Sequence, residues 1–312
     1  MPRDVFDANY PFLPSSERLS FDHLVKIARS FAAIGVEKIR ITGGEPLLRR
    51  NLESLIEQLA RLKTVSGKPM DIALTTNGSL LASKARSLRD AGLNRVTVSL
   101  DALDDALFRR MSDVDIPVTR VLDGIEHAIS AGFTSIKVNA VIERGTNETE
   151  ILSLVRYFKN TDVAVRFIEY MDVGGANTWA GAKVFTSGEV LALVESEFSL
   201  VPVPTQHPSD TAVNYRHADG TGEIGCISSV SKPFCGNCSR ARVSANGQLY
   251  TCLFATRSTD LRPWLDYTSS DTQLIDVIRS TWVNRTDRYS EQRGRNDKGK
   301  AYPTVRMSLV GG

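Results

Sequence analysis

The sequence has little of what marks a secreted, membrane-bound or nucleic-acid-binding protein. Its 312 residues include only four cysteines, and 38 Lys and Arg residues nearly balance 36 Asp and Glu residues, for a net charge of +2. That balance argues against wrapping a nucleic acid or lying on a membrane. No apolar run is long enough to cross a bilayer, and charges interrupt the N-terminal stretch where a secretory signal needs an apolar core. We therefore expect a cytoplasmic protein with no nucleic-acid or membrane partner.

Three of the four cysteines lie close together. Cys235, Cys238 and Cys252 form a C-x2-C-x13-C pattern, whereas Cys226 stands apart in an apolar stretch. In a reducing compartment, grouped cysteines are more often metal ligands than disulfides. Structural zinc takes four ligands, and the fourth would have to be Cys226 or a histidine, whereas a cluster on three thiolates keeps one position open. The spacing favours the iron-sulfur cluster over closed zinc and over three packed thiols.

Two arginines follow the second cysteine. Arg240 and Arg242 alternate along a stretch that is typical of a strand, so both side chains would lie on one face beside the cysteines. Guanidinium groups bind pairs of phosphate or carboxylate oxygens, which predicts a polyphosphate or carboxylate ligand. A solvated strand face is the alternative. The stretch continues into a predicted hairpin that turns at Asn246 and Gly247.

A β-branched run, a turn and an amphipathic helix recur from residue 36 to about residue 169, which predicts parallel strands joined by helices. The predicted strands are residues 36–42, 71–76, 94–100, 135–142 and 163–169. Each ends in polar or glycine residues, and such ends converge on one mouth in a (β/α) barrel. The pattern therefore favours an α/β protein with an incomplete TIM-like barrel over an open doubly wound sheet. We predict two domains, the partial barrel over 1–174 and an α+β extension over 175–312.

Three cations lie within the predicted apolar strands. Arg40, Lys137 and Arg166 are unusual there, because unpaired charge is costly to bury. If they point into the barrel, they need an anionic partner, and a triphosphate would serve. Ion pairs with Asp101, Glu169 or other acids are the alternative.

The turn after the first predicted strand has the sequence ITGGEP. Gly43 and Gly44 would let the backbone approach a ligand closely, and Glu45 could accept a hydrogen bond from an amine or hydroxyl group. A tight turn before Pro46 explains the pattern nearly as well. Met171, which follows the fifth predicted strand, is first of all a candidate core residue.

Together these segments resemble a known family. The resemblance rests on KIRITGGEPLLRR, LTTNGSLL, VSLDA, IKVNAVI, RFIEYMDVG, FCGNCSRARVSANGQLYTCLFA and the terminal Gly311-Gly312. These are similar to the GTP 3′,8-cyclase family of molybdenum cofactor biosynthesis, a group of radical S-adenosylmethionine (SAM) enzymes, and the match spans essentially the whole chain. It implies an incomplete (β/α) barrel of the radical SAM type and a C-terminal domain that holds a second 4Fe-4S cluster.

The resemblance also implies roles for single residues. The C-terminal 4Fe-4S cluster would be held by Cys235, Cys238 and Cys252, with its open iron toward GTP. The implied GTP ligands are Lys38, Arg40, Thr75, Lys137, Arg166, Arg240, Ala241 and Arg242. The implied SAM contacts are Gly44, Ser99 and Met171, and the tail of Gly311 and Gly312 would reach toward the mouth of the barrel.

The implied reaction converts GTP to (8S)-3′,8-cyclo-7,8-dihydroguanosine 5′-triphosphate. In the family, a reduced N-terminal cluster splits SAM, the 5′-deoxyadenosyl radical takes the ribose 3′ hydrogen of GTP, and the sugar radical attacks C8 of guanine. The protein supplies position and charge while its cofactors supply the chemistry. The product would pass to cyclic pyranopterin monophosphate synthase, and a homodimer is a possible assembly.

One motif of the family is missing. Radical SAM enzymes bind the SAM-cleaving cluster through a C-x3-C-x2-C triad, and this sequence contains none. Met1-Pro2 resembles the dipeptide that follows the last cysteine of the triad, so we expect the sequence to begin just downstream of it. The N-terminal 4Fe-4S cluster is then expected only in a full-length protein. The alternatives are an inactive GTP-binding iron-sulfur protein and a zinc-stabilised interaction module.

Overall fold

A computed structural model describes residues 13–171, 179–266 and 269–292. The strands of its main sheet are β1 (Lys38–Ile41), β2 (Asp71–Thr76), β3 (Arg95–Ser99), β4 (Ile136–Ile142), β5 (Val163–Glu169), β6 (Leu200–Val203), β7 (Val213–His217) and β8 (Glu223–Ile227). Their order across the sheet is β1-β2-β3-β4-β5-β8-β7-β6. Strands β1 to β5 and β8 are parallel, and β7 and β6 continue the sheet in antiparallel pairing. The five strands predicted from the sequence are confirmed, with bounds that differ by at most two residues.

Helices lie between the strands of the main sheet, as the sequence predicts, and also before its first strand and after its last. They are α1 (Phe21–Ala33), α2 (Leu52–Ala60), α3 (Leu81–Asp90), α4 (Asp105–Ser112), α5 (Val118–Ser130), α6 (Glu150–Phe158), α7 (Ser187–Glu195), α8 (Asp271–Val283) and α9 (Tyr289–Gln292). Ser20 caps α1 by accepting a hydrogen bond from the His23 amide, and Thr186 and Glu189 form a capping box at α7. After α1 the chain turns at Gly35, whose φ of +98° favours glycine.

The two faces of the sheet differ in character. Along β4 and β5 buried residues alternate with partly exposed ones, because successive side chains point to opposite faces of a strand. The buried set, which includes Val138, Ala140 and Phe167, belongs to one large apolar core with the helices. The other set includes Lys137, Asn139 and Arg166. The sheet therefore presents a polar inner face, as the side of a barrel does.

A second, smaller sheet lies in the C-terminal region. It contains β9 (Arg242–Val243), β10 (Gln248–Tyr250) and β11 (Thr259–Asp260), in the order β11-β10-β9 with antiparallel pairing. The hairpin predicted at Asn246 and Gly247 is confirmed, and Gly247 has a φ of +85°. The apolar core beside this second sheet contains residues from α1, from the sheet and from α8, including Ile27, Leu249 and Leu274. The extension is thus packed on the first helix of the barrel.

The predicted fold class is confirmed by this architecture. The sheet itself crosses the predicted domain boundary, because β8 lies beside β5 although it follows residue 174. Because one sheet includes strands from both predicted domains, the division at residue 174 stays a prediction. Gly311 and Gly312 lie outside the described residues. Within the described ranges, the helices lack the combination of length and apolar sequence needed to span a bilayer.

Candidate functional site

The cations predicted inside the barrel lie on the inner face of the sheet. Arg40 on β1 donates hydrogen bonds to Thr75 Oγ1 at 2.7 Å and to Thr97 Oγ1 at 3.1 Å. Lys137 on β4 is in register with Thr97 of the neighbouring strand β3. The structure thus brings Arg40, Thr75 and Lys137 to one wall, as the sequence predicts.

These cations depress the pKa values of one another. Burial lowers the pKa of Lys137 to about 8, and the positive charges of Arg166, Arg95 and Lys38 contribute to that shift. Burial and neighbouring positive charge also lower the pKa values of Arg40 and Lys38. Like charges gathered in a partly desolvated space are costly unless an anion offsets them. The inner face is therefore suited to a polyanion.

Sequence reasoning missed Arg95 and Asp71, which belong to the same group. Asp71 Oδ1 lies 3.0 Å from Arg95 Nε, and Asp71 Oδ2 lies 3.6 Å from Lys38 Nζ. Arg95 also lowers the pKa values of Lys38, Arg40, Lys137 and Arg166. Its position two residues before Thr97, on the same strand face, is the signal that could have identified it.

The acids proposed as ion-pair partners have other roles. Asp101 Oδ1 accepts a hydrogen bond from the Val141 amide at 2.8 Å. Glu169 accepts hydrogen bonds from the amides of Ser187, Val230 and Ser231 at 2.7–2.8 Å. Among the described residues, the salt bridge within the inner-face group is made by Asp71 instead. Glu223 also offsets charge at Lys137 and Arg166, and Asp210 does so at Arg166. Three acids near five cations leave the group with net positive charge.

The residues expected to contact SAM lie at the carboxyl edge of the parallel strands. Gly44 follows β1, Ser99 ends β3 and Met171 follows β5. The turn that contains Gly44 is held by Glu45, which accepts hydrogen bonds from the Asn77 amide at 2.7 Å and Thr76 Oγ1 at 2.8 Å. Topology therefore gathers the three residues at one edge, and their contacts with SAM stay a prediction.

The carboxyl group of Asp101 lies just beyond the same edge, two residues after Ser99. Burial raises the pKa of Asp101 to about 6. Because desolvation disfavours the charged form, this carboxyl group changes charge close to neutral pH.

The three clustered cysteines flank β9 and β10. Their thiols are free and partly buried. Arg240 donates a hydrogen bond to Cys238 Sγ at 3.2 Å, and the Phe254 amide donates one to Cys252 Sγ at 3.4 Å. Burial raises the pKa of Cys252, and the nearby Cys235 and Cys238 raise it further. Such N–H···S bonds and mutual proximity suit thiolates that share a cluster.

The positions of these thiols help to distinguish a zinc site from an iron-sulfur cluster. In the part of the chain that the structure describes, no three His, Cys, Asp or Glu residues are placed to hold one metal ion. A cluster does not need that convergence, because each thiolate binds a different iron. Cys226 is 2% exposed on β8 in the main core, and burial raises its pKa to about 12. It stands apart from the trio, as the sequence predicts.

Arg240 and Ala241 follow Cys238 along the chain, and Arg242 is the first residue of β9 in the second sheet. The Arg240 guanidinium lies 5.0 Å from the centroid of the Phe234 ring. Burial lowers the pKa of Arg242, with Arg240 adding to the shift and the thiols of Cys252 and Cys238 opposing it. Ala241 packs against the second core. The two guanidiniums are therefore within electrostatic reach of the cysteines, and binding of GTP by these residues stays a prediction.

Comparison with known proteins first identifies the class of protein to which the chain belongs. The Radical SAM superfamily model matches residues 6–158, and the Molybdenum Cofactor Synthesis C model matches residues 163–291. A solved structure of native anSMEcpe with bound AdoMet aligns with a TM-score of 0.55 at 14% identity, over 96% of this chain and 86% of that one. It supports the fold alone. The chain has the radical SAM fold joined to a molybdenum cofactor synthesis region.

The relatives then give the particular family. Proteins named GTP 3′,8-cyclase from Acidothermus cellulolyticus, Xanthomonas axonopodis and Staphylococcus aureus are 48%, 47% and 41% identical to this chain. The matches cover 96%, 100% and 100% of this chain and 83%, 91% and 91% of those proteins. The chain belongs to the GTP 3′,8-cyclase family, which confirms the resemblance found in the sequence.

Proposed function

We propose that the protein acts as a GTP 3′,8-cyclase in the first step of molybdenum cofactor synthesis. The observation that carries the proposal is the group of inner-face cations, whose pKa values are lowered by burial and by one another. A triphosphate offsets that charge, and the family supplies the identity of the nucleotide. The product would be (8S)-3′,8-cyclo-7,8-dihydroguanosine 5′-triphosphate.

GTP would be held from two sides. On the barrel wall, the GTP site would be lined by Lys38, Arg40, Thr75, Lys137 and Arg166, with Arg95 as a further cation. From the C-terminal region, Arg240, Ala241 and Arg242 would approach the other part of the nucleotide. Fixing the substrate at both ends orients its ribose for hydrogen transfer, and such orientation is a large part of catalysis in cofactor enzymes.

The donor set fits a cluster at Cys235, Cys238 and Cys252. Three thiols with N–H···S contacts can bind three irons of a 4Fe-4S cluster. When bound, such a cluster supplies one iron with an open position for a substrate ligand. Arg240, which donates a hydrogen bond to Cys238 Sγ, would orient that sulfur toward the cluster.

SAM would bind at the carboxyl edge of the strands, at Gly44, Ser99 and Met171. The four cysteines of the sequence leave no C-x3-C-x2-C triad for a second 4Fe-4S cluster. The residues present therefore do not fit that group, and we derive no step through it. We expect SAM cleavage only in a polypeptide that carries the triad.

The wider setting of the protein is also a proposal. The cyclised product is the chemical substrate expected for cyclic pyranopterin monophosphate synthase, and the site of action would be the cytoplasm. Strand β1 is an edge strand of the main sheet among the described residues. An edge strand offers unpaired backbone groups, which supports a homodimer as one assembly.

Anaerobic reconstitution of the 312-residue chain tests the proposal. We expect about four irons per chain and binding of GTP in preference to ATP, without cleavage of SAM. Adding an N-terminal segment that contains a C-x3-C-x2-C triad should then give both SAM cleavage and the cyclised product. A non-catalytic GTP-binding protein would bind GTP but form no product even with the triad. Colourless protein that contains zinc and does not bind GTP would show that the proposal is wrong.

A further inference from the structure

Besides Nδ1 of His217, which lies on the opposite face of β7, three buried polar atoms on the main sheet lack a hydrogen-bond partner among the described residues. They are Oδ1 of Asn139, Oδ1 of Asn214 and Nε of Arg166. More than nine in ten buried polar groups in folded proteins are paired with protein or water. An unpaired group therefore needs an explanation, and a ligand that completes the hydrogen bonds is one.

The three residues occupy one row across four strands. Asn139 on β4 is in register with Arg166 on β5, and Arg166 is in register with Gly225 on β8. Gly225 in turn is opposite Asn214 on β7. Residues in register on neighbouring strands point to the same face of a sheet. The unpaired atoms thus form a continuous polar row beside Lys137 and the other inner-face cations.

Gly225 lets two members of the row approach each other. A Cβ atom at residue 225 would lie 2.9 Å from Asn214 Oδ1 and 3.1 Å from Arg166 Cγ. Its φ is not in the left-handed region, so the backbone does not require glycine there. The absent side chain instead leaves room between the amide of Asn214 and the side chain of Arg166.

The chemistry of the row distinguishes between parts of a nucleotide. A phosphate oxygen could accept from Arg166 Nε, but it cannot donate to the asparagine oxygens. A hydroxyl group both donates and accepts, so it can satisfy Asn Oδ1 and Arg Nε together. We propose that Asn139, Arg166 and Asn214 form a subsite for the ribose hydroxyl groups of GTP, with Gly225 as its floor. This inference rests on the proposed function, which places the triphosphate on the adjacent cations.

Equilibrium binding of GTP, 2′-deoxyGTP and 3′-deoxyGTP to the full chain with its cluster tests the subsite. We expect at least one deoxy analogue to bind roughly two- to tenfold more weakly than GTP. Asn214→Leu removes the acceptor without a large change in volume. In this variant the ratio of the affinity for GTP to the affinity for that deoxy analogue should approach one. Gly225→Ala should reduce the ratio as well, because the added methyl group enters the gap. The exposed Asn160 is the site of the matched control Asn160→Leu, which should keep the ratio unchanged.

Several results would overturn the subsite. The unaltered chain could bind all three nucleotides equally, or Asn214→Leu could weaken all three by the same factor. A loss of SAM binding in Asn214→Leu with an unchanged GTP ratio would assign the row to the sugar of SAM instead. Failure of the unaltered chain to bind GTP at all would overturn the proposed function, which separates the two conclusions. Thermal melting of each variant shows whether it is folded.

Discussion

At the scale of single residues, the charge of Lys137 on the barrel wall would favour binding of an anion but costs stability when no anion is bound. Lys137 has a pKa of about 8, compared with 10.5 for an unperturbed lysine. The folded chain therefore binds this proton less tightly than the unfolded chain does. The resulting destabilisation of the fold without GTP is full below about pH 8 and disappears as the pH rises toward 10.5. A bound triphosphate reverses the balance, because it favours the charged form. Under the proposed function, binding of GTP and stability without GTP thus place opposite demands on this residue.

Lys137→Met should show both effects. We expect weaker GTP binding, by about tenfold at pH 7, and a melting temperature without GTP that is unchanged or higher. In the unaltered chain GTP affinity should fall as the pH rises from 7 to 9, since Lys137 loses its charge near pH 8. Lys137→Arg keeps the charge over that range and should flatten the decline. Titration calorimetry at several pH values measures this, with the exposed Lys63→Met as control. An identical pH profile for Lys137→Arg would contradict the assignment.

Sequence reasoning identified the site residues that have a strong local signal and missed those that depend on neighbouring strands. Arg40, Lys137 and Arg166 could be found because a cation inside an apolar strand is unusual on its own. Cys235 and its partners could be found from spacing. Asn214 gives no such signal, because its position near Arg166 depends on strand pairing. It is opposite Gly225 on β8, and Gly225 is in register with Arg166 on β5. Only the pairing of β8 with both β5 and β7 brings it to the site.

At the scale of elements, Glu169 ties the end of β5 to two later segments. Its carboxylate accepts hydrogen bonds from the first residue of α7 and from Val230 and Ser231, which lie shortly before Cys235. The side chain is 2% exposed. Burial alone would raise its pKa, but these hydrogen bonds outweigh burial and hold the pKa below 4.5. Glu169 therefore joins the barrel to the segment that leads into the cysteines.

Replacing Glu169 by Gln should destabilise the fold by about 1–3 kcal/mol at pH 7, because buried amides lose a charged acceptor. A lowered pKa means that the stabilisation is full above the unfolded value of 4.5 and is lost as the pH falls through the folded value. The difference between the two proteins should therefore shrink in acid. Urea unfolding at pH 7 and at lower pH measures it, and the exposed Glu57→Gln serves as control. A difference that does not depend on pH would rule out the charge as its cause.

Two helical glycines give opposite expectations for one substitution. In α5, a Cβ atom on Gly124 would lie 2.8 Å from the Gly78 carbonyl oxygen and 3.1 Å from Leu81 Cβ, where α5 packs on α3. In α7, a Cβ atom on Gly188 would meet only Thr186 Oγ1, at 4.0 Å. Gly124→Ala should destabilise the protein by about 1–3 kcal/mol through overpacking. Gly188→Ala should stabilise it by up to about 1 kcal/mol through helix propensity. Denaturant unfolding compares them, and equal effects would contradict the packing argument.

Elements of the barrel were predictable because each is long and strongly patterned. Strands β2 and β5, for example, match the predicted bounds, since a β-branched run fixes a strand locally. The place of β8 was not predictable, because five residues carry no signal for pairing with β5, which ends more than fifty residues earlier. Long-range pairing depends on the whole sheet rather than on the segment itself.

At the scale of the whole molecule, the two cores separate two kinds of cysteine. Cys226 belongs to the main apolar core, whereas the other three thiols are partly buried next to the smaller sheet. The same substitution should therefore act on different properties of the protein. At position 226 it changes packing in the barrel. At position 238 it removes a candidate cluster ligand, whose sulfur accepts a hydrogen bond from Arg240. The pair tests whether metal binding and folding of the barrel are independent.

Cys226→Ser should lower the free energy of unfolding by about 1–3 kcal/mol, because a buried hydroxyl needs a hydrogen bond that the apolar core does not offer. It should nevertheless keep the full iron content and GTP binding. Cys238→Ser should lose most of the iron and weaken GTP binding severalfold, with little change in the unfolding of the barrel. Iron analysis, visible absorption and denaturant unfolding on anaerobically prepared proteins distinguish the two. If Cys238→Ser instead unfolded the C-terminal region and released zinc, the thiols would hold a structural metal. The open iron position on which the proposed binding of GTP depends would then not exist.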